Sequence, residues 1–138
     1  MATFNKFNSF VEALAEKVHN LGADTLKVML TNSAPVATNT VKANLTEIAA
    51  GNGYTAGGHT ITVSSSSQTS GTYKLVAADV TISASGAVGP FRYAVIYNDT
   101  ATNDELIGYY DYGSSISLAN GESFTIDFDP TNGLIQIA

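Results

Sequence analysis

Two neighbouring runs of aromatic and β-branched residues constrain this chain more than any other feature. The runs extend from Pro90 to Tyr97 and from Leu106 to Tyr112, and the polar segment 98–105 between them has the composition of a loop. Of the seven Tyr and six Phe residues, six lie within 89–113, so their rings must be buried against neighbouring strands or a facing sheet. Neither face of the first run is clearly polar. The pattern predicts a long hairpin at the centre of the fold.

The composition favours a single, mainly β domain. A chain of 138 residues is long enough for one hydrophobic core. Charged residues make up only 13% of it, against about 25% in average proteins. Small polar residues and 12 Gly take their place, and a hydrophobic content of 44% argues against disorder. We predict one domain, 1–138, folded as an antiparallel, jelly-roll-like β-sandwich.

Charge and residue usage exclude several classes of partner. The net charge is −6 and the six Lys and Arg residues are scattered, whereas phosphate binding requires clustered cations. The absence of Cys excludes disulfides and thiolate metal sites. No run of about 18 apolar residues is present, and the first residues lack the apolar block of a signal peptide. We therefore expect neither a nucleic-acid partner nor a membrane.

The N-terminal segment, 1–22, has the pattern of an amphipathic helix. Apolar residues recur at steps of three and four from Phe4 to Leu21, with charged residues between them. Gly22 provides a stop signal. We predict a helix over about 5–20 that covers an edge of the sheet, and Phe4 and Phe7 at its start are candidates for contact with a neighbouring subunit.

The sandwich is predicted to occupy 25–138, with an insertion after its first strand. Thr25–Asn32 alternates apolar and polar residues, as a strand does. The following segment, 33–58, is predicted to be a long loop, broken at Pro35, with a short capped helix beginning at Asn44 and several glycines around Tyr54. A connection of this length is more often functional than idle, and the alternative is a well-packed surface loop.

The remaining sequence predicts strands at short, regular intervals. Nine strand segments are expected in all, mostly separated by turn signals at the spacing of an antiparallel sandwich. The serines at 64–67 are typical of an exposed strand edge or loop. Gly108 is a candidate for a bulge, and Asn120-Gly121 has the composition of a tight hairpin turn.

The acid–base residues form no known catalytic motif. His19 and His59 are far apart in sequence, and both have ordinary structural interpretations. Asp111 and Glu122 are an imaginable carboxylate pair, although nothing in their spacing requires glycosidase chemistry. Tyr109 and Tyr110 are candidates for stacking on sugar rings, but the more common role of such tyrosines is to fill a core. We predict no catalytic residues.

Two acidic segments have the donor types of a cation site without its full pattern. Segment 127–133 has carboxylates followed by a glycine, but the glycine comes one place late for a calcium loop and the bidentate Glu is missing. Loop 98–105 offers Asp99, Asp104 and Glu105, although acidic hairpin loops are commonly just solvated. We predict no metal site and no cofactor.

Five strings of residues together resemble a family of small proteins encoded by tailed bacteriophages and prophages. They cover nearly the whole chain and are FVEALAEKVHNLGADTLKVMLTNSAPVATNTV (10–41), LTEIAAGNGYTAGG (45–58), SQTSGTYKL (67–75), GPFRYAVIYNDT (89–100) and GESFTIDFDPTNGLI (121–135).

This resemblance implies a virion structural protein, specifically a capsid decoration (cement) protein. Such a protein would be made in the cytoplasm of the host bacterium and located on the capsid exterior. Its partners would be the major capsid protein and further copies of itself, in a dimer or trimer. A tail or head-fibre component and a carbohydrate-binding β-sandwich module are the alternatives. The residues predicted to contact partners are Phe4, Phe7, Pro35, Tyr54, Arg92 and Tyr110.

Overall fold

The computed structural model describes residues 2–138 and confirms a mainly β protein, with 47% strand and 7% helix. Met1, which belongs to the predicted N-terminal segment, lies outside the described residues. A 3₁₀ turn at Lys42–Asn44 and one α-helix, α1 (Ser9–Ala15), accompany the strands. The strands are β1 (Phe4–Lys6), β2 (Leu26–Thr31), β3 (His59–Thr60), β4 (Val63–Thr69), β5 (Thr72–Ala77), β6 (Val80–Ser83), β7 (Val88–Asn98), β8 (Leu106–Leu118), β9 (Ser123–Ile126) and β10 (Ile135–Ile137).

The strands form three antiparallel sheets, consistent with the predicted β-sandwich. The largest has the order β1-β8-β7-β2-β3, the second the order β10-β5-β4, and β6 pairs with β9 in the third. The main core contains buried residues from all three sheets, including Leu75, Ile82 and Ile96. The serine-rich strand β4 lies at a sheet edge, as its composition predicted. The jelly-roll connectivity stays a prediction.

The predicted central hairpin is confirmed as β7 and β8. Ala94 pairs with Tyr110 in the middle of the ladder. Both faces of β7 are buried, since Ala94 and Ile96 belong to the main core while Val95 and Tyr97 belong to a second apolar cluster on the opposite face. The register shifts beside Gly108, where a bulge was predicted. The structure differs in making β8 one continuous strand, where two were expected.

The predicted N-terminal helix is wrong in its length. The helix covers only Ser9–Ala15, because Phe4–Lys6 pairs with the edge of β8 instead. Lys17 has a positive φ of 70°, and the Val18 N–H donates to the Ala13 carbonyl at 2.9 Å, which closes the helix with a left-handed turn. The apolar spacing was misleading because its aromatic residues divide between clusters on opposite faces of the central sheet. Phe7 enters the second cluster and Phe10 the main core.

Candidate interaction surfaces

The six predicted contact residues divide into four buried and two partly exposed side chains. Those of Phe7, Pro35, Tyr54 and Tyr110 are buried within their own chain, which leaves almost no side-chain surface for a partner. Phe4 is half-buried against Tyr110, with ring centroids 5.8 Å apart. Arg92 is partly exposed, but its guanidinium already donates to the Asp111 carboxylate at 2.8 and 3.1 Å. The surface available at these positions is therefore that of Phe4 and Arg92.

The segment 33–58, which we call the cover loop, packs on the outer face of the central sheet. Its Leu45 packs against the second apolar cluster, so the loop provides part of a core. It contains no regular strand and no α-helix, and the helix predicted to begin at Asn44 is wrong. The Asn44 side chain instead accepts hydrogen bonds from the preceding Thr40 and Val41 N–H groups, at 3.0 and 3.2 Å. Within this loop Val36 is 54% exposed, which offers an apolar contact point.

A polar cluster around the Glu47 carboxylate fixes the cover loop to strand β2. Glu47 Oε1 accepts hydrogen bonds from the Tyr54 hydroxyl at 3.0 Å and from the Gly57 N–H at 2.6 Å. The Tyr54 hydroxyl in turn accepts the buried Leu30 N–H at 3.0 Å, and Lys42 Nζ lies 3.5 Å from Glu47 Oε2. We call Glu47, Tyr54, Gly57 and Tyr97 the Glu47 cluster. The carboxylate therefore holds the cover loop in place, a role that no motif in the sequence indicated.

Burial keeps the two tyrosines of the Glu47 cluster neutral. It raises the pKa of Tyr54 well above its ordinary value, and the adjacent Glu47 carboxylate raises it further. Burial also raises the pKa of Tyr97, whose hydroxyl donates to the Gly57 carbonyl. Both hydroxyls therefore remain donors at any physiological pH, and neither is suited to act as a base.

His19 lies beyond the end of the helix and is buried, contrary to its predicted place in the last helical turn. Asn98, fully buried at the start of the hairpin loop, donates to His19 Nδ1 at 3.0 Å and to Asp24 Oδ2 at 2.7 Å. Burial lowers the pKa of His19, while Glu105 and Asp24 oppose that shift. Because Nδ1 accepts a hydrogen bond, the neutral imidazole carries its proton on Nε2. These hydrogen bonds connect the segment between α1 and β2 to the hairpin loop.

The acidic loop 98–105 is partly neutralised by lysines from other elements. Lys27 Nζ lies 3.3 Å from Asp99 Oδ2. Burial and the neighbouring Asp99 raise the pKa of Asp104, and the charges of Lys42 and Lys27 oppose that shift. The main-chain N–H of Lys42 also donates to the main-chain carbonyl of Asp104 at 3.0 Å, which attaches the loop to the 3₁₀ turn. Over residues 2–138, no group of three or more His, Cys, Asp or Glu side chains is arranged to hold a metal ion.

The carboxylates considered for glycosidase or calcium chemistry are occupied by local hydrogen bonds. The bond from Arg92 holds the pKa of Asp111 below its ordinary value, which is opposite to the shift that a general acid needs. Glu122 accepts the Ala119 N–H at 2.7 Å and closes the Asn120-Gly121 turn. Asp129 accepts the Thr131 and Asn132 N–H groups at 2.8 and 2.9 Å, so segment 127–133 is a hydrogen-bonded turn.

The tyrosines considered for sugar stacking are packed against other rings. Tyr110 is 5% exposed, and its ring centroid lies 6.1 Å from that of Phe128. Burial raises its pKa to about 12. Tyr109 is half-buried and its ring lies 5.3 Å from Phe7. Stacking on a sugar would have to use the remaining exposed part of Tyr109.

The feature that sequence reasoning missed is an apolar groove between α1 and β10, which we call the α1–β10 groove. Its volume is about 640 Å³, and Phe4 and Lys6 of β1 also line it. Two of its lining side chains, Val11 and Ile137, are 51% and 38% exposed. The sequence placed Val11 on the apolar stripe of the predicted helix, and neither its exposure nor the proximity of 134–138 to α1 was predicted, because both depend on how the sheets pack.

Comparisons with known proteins leave the chain without a match: no family model, no curated protein and no solved structure is similar to it. None of the helices in residues 2–138 has both the length and the apolar character needed to cross a membrane.

Proposed function

We propose that this chain is a bacteriophage virion structural protein, a capsid decoration (cement) protein that binds the outer surface of the major capsid lattice and stabilises it. The proposal rests first on the family resemblance of the five sequence strings. A protein with this role needs a rigid scaffold and surfaces that fit a lattice, and it needs no catalytic centre.

The observation that best supports binding over catalysis is the use of polar side chains to fix surface loops. Glu47 holds the cover loop, Asn98 holds the hairpin loop, and Asp129 holds the turn before β10. Loops held in this way lose little conformational entropy when they bind, which favours recognition by a preformed surface. A catalytic site would instead need a base, an acid or a nucleophile with unoccupied polar atoms facing a cleft.

Self-association would strengthen a weak contact with each lattice site. When a dimer or trimer engages several capsid subunits at once, the later contacts form at high effective concentration. A modest interface on each copy is then sufficient for stable decoration. The net charge of the chain, −6, would help to keep such particles soluble.

The test is binding to empty capsids assembled from the major capsid protein of the same phage or prophage. We expect the purified chain to be a dimer or trimer by light scattering, to sediment with capsids until a fixed lattice stoichiometry is reached, and to raise their thermal stability. A monomer that fails to bind capsids would overturn the proposal. Purified virions that contain only a few copies would instead assign the chain to the tail or a head fibre.

A further inference from the structure

The side chain of Asn98, the last residue of β7, joins two segments that are far apart in the sequence. Its Nδ2 group donates to His19 Nδ1 at 3.0 Å and to Asp24 Oδ2 at 2.7 Å, both in the segment between α1 and β2. Its Oδ1 atom accepts the Thr100 and Ala101 N–H groups of the hairpin loop at 3.0 and 3.2 Å. Asn98 and His19 are both buried, so a bond lost here leaves a polar atom without a partner.

The orientation of the Asn98 amide is fixed from both sides. Its NH₂ group faces the Asp24 carboxylate, which only accepts, and its oxygen faces two backbone N–H groups, which only donate. Turning the amide over would place donor against donor in the loop and acceptor against acceptor at Asp24. His19 Nδ1 therefore always meets a donor, and it bonds to Asn98 only while it carries no proton.

His19 and Asp24 lie at the two ends of one hydrogen-bonded turn. The Asn20 N–H donates to Asp24 Oδ2 at 2.8 Å, and the Asp24 N–H donates to the Asn20 carbonyl at 2.8 Å. The oxygen that accepts the Asn98 amide is thus fixed to the backbone next to His19. The turn couples the two bonds that Asn98 makes to this segment.

The charged and titratable groups around His19 do not compensate for its burial. Asp24, on its own segment, and Glu105, at the other end of the hairpin loop, both raise its pKa, whereas burial lowers it and outweighs them. Lys17 and Tyr73 line the hollow beside the imidazole and supply no negative charge at neutral pH. The closed arrangement therefore favours the neutral ring.

We propose that His19 and Asn98 form an acid-sensitive switch, in which protonation of the imidazole breaks the link between the segment 19–24 and the hairpin loop 98–105. Two donors then face each other, so the charged ring leaves Asn98 for water and displaces the coupled Asp24 carboxylate. Thr25 keeps its bonds to Asp99 and Thr100, so the two segments separate by turning about this residue. This inference is independent of the virion assignment.

Hydrogen exchange of the Asn98 side-chain amide, followed by NMR, tests the switch, because this NH₂ group forms both bonds. Each rate is divided by the intrinsic rate of the same group at the same pH, and the quotient reports opening alone. Only the open form binds the proton well, so the quotient should rise about fivefold or more between about pH 7.5 and about pH 5.5. It should exceed the quotient of the Ala94 backbone amide, in the centre of the hairpin, by at least about tenfold, since the sheets stay paired.

His19→Asn removes the titrating group but keeps a side-chain oxygen that can accept a hydrogen bond from Asn98. The rise of the quotient at low pH should disappear in this variant and persist in His59→Asn, the matched change at the other histidine. The ¹⁵N shifts of the His19 ring supply a measurement without any variant, and at neutral pH they should place the proton on Nε2.

Four results would each overturn the switch. They are a neutral ring with its proton on Nδ1, an Asn98 quotient that does not change with pH, equal quotients for Asn98 and Ala94, and a rise that survives in His19→Asn or is lost in His59→Asn. Equal quotients would show that the amide is exposed only when the whole fold opens.

Discussion

Replacing Tyr54 by Phe tests whether the Glu47 cluster holds the cover loop in place. The hydroxyl sits between two partners, accepting the Leu30 N–H at 3.0 Å and donating to Glu47 Oε1 at 3.0 Å. Leu30 is fully buried, and its N–H points to the side of β2 where β3 pairs only with Lys27 and Val28. The tyrosine hydroxyl therefore takes the place of a missing strand partner.

The expected cost follows from the group that is left without a partner. A buried N–H that loses its acceptor costs about 1–3 kcal/mol. Glu47 loses one donor but keeps the Gly57 N–H at 2.6 Å and the nearby Lys42 ammonium. We expect Tyr54→Phe to lower the free energy of unfolding by about 2 kcal/mol, with a fall in Tm of roughly 6–10 °C for a domain of this size.

Urea unfolding followed by far-UV circular dichroism measures this change, and Tyr73→Phe is the matched control. The Tyr73 hydroxyl also forms a hydrogen bond, to Ser66 Oγ at 2.8 Å, but that bond is exposed. Water replaces a lost partner there, so the control should cost less than about 0.5 kcal/mol. If the two variants lost the same stability, the assignment of Tyr54 as a buried anchor of the loop would be refuted.

Two further predictions concern a glycine and a histidine. Gly58→Ala should lower the free energy of unfolding, measured in urea, by about 3 kcal/mol. The reason is that Gly58 has a φ of +87° and an added Cβ would lie 2.1 Å from the Val28 carbonyl oxygen. A loss below about 1 kcal/mol would contradict this close contact. Burial lowers the pKa of His19 below its ordinary value of 6.5, so the unfolded chain takes up the proton first as the pH falls. The contribution of His19 to the free energy of unfolding should therefore be constant above pH 6.5 and should fall below pH 6.5. Burial also lowers the pKa of His59, so His19→Gln should reduce, without abolishing, the slope of the unfolding free energy against pH below pH 6.5. An unchanged slope in urea unfolding at several pH values would show that His19 does not contribute.

The strands were predictable where local composition and periodicity agree. β2 alternates apolar and polar residues, the central hairpin combines aromatic runs with a polar loop, and Asn120-Gly121 marks a turn. These signals are local, because strand propensity and turn chemistry depend on neighbouring residues. The N-terminal helix failed for the same reason. Apolar residues at steps of three and four fit one face of a helix. The same spacing is also compatible with the observed structure, in which residues 4–6 pair with the edge of β8 and the following aromatic side chains divide between the main core and the second cluster.

The candidate sites depended much less on local sequence. Four of the six predicted contact residues are buried: Tyr54 and Tyr110 lie in the main core, Phe7 lies in the second cluster, and Pro35 is buried within the cover loop. Glu47 carried no local signal of its role, since its partners Tyr54 and Gly57 reach it only when the loop folds back. The α1–β10 groove joins segments from the two ends of the described residues, so no local pattern could have indicated it.

By itself, the sequence determined that this chain folds as an antiparallel β domain around one aromatic hairpin, because alternation and turn residues act over a few positions. Only the tertiary structure decided which polar side chains serve as anchors and which apolar side chains remain exposed. Those properties depend on the packing of distant segments, and packing fixes the hydrogen-bond partners and the exposed area of each side chain.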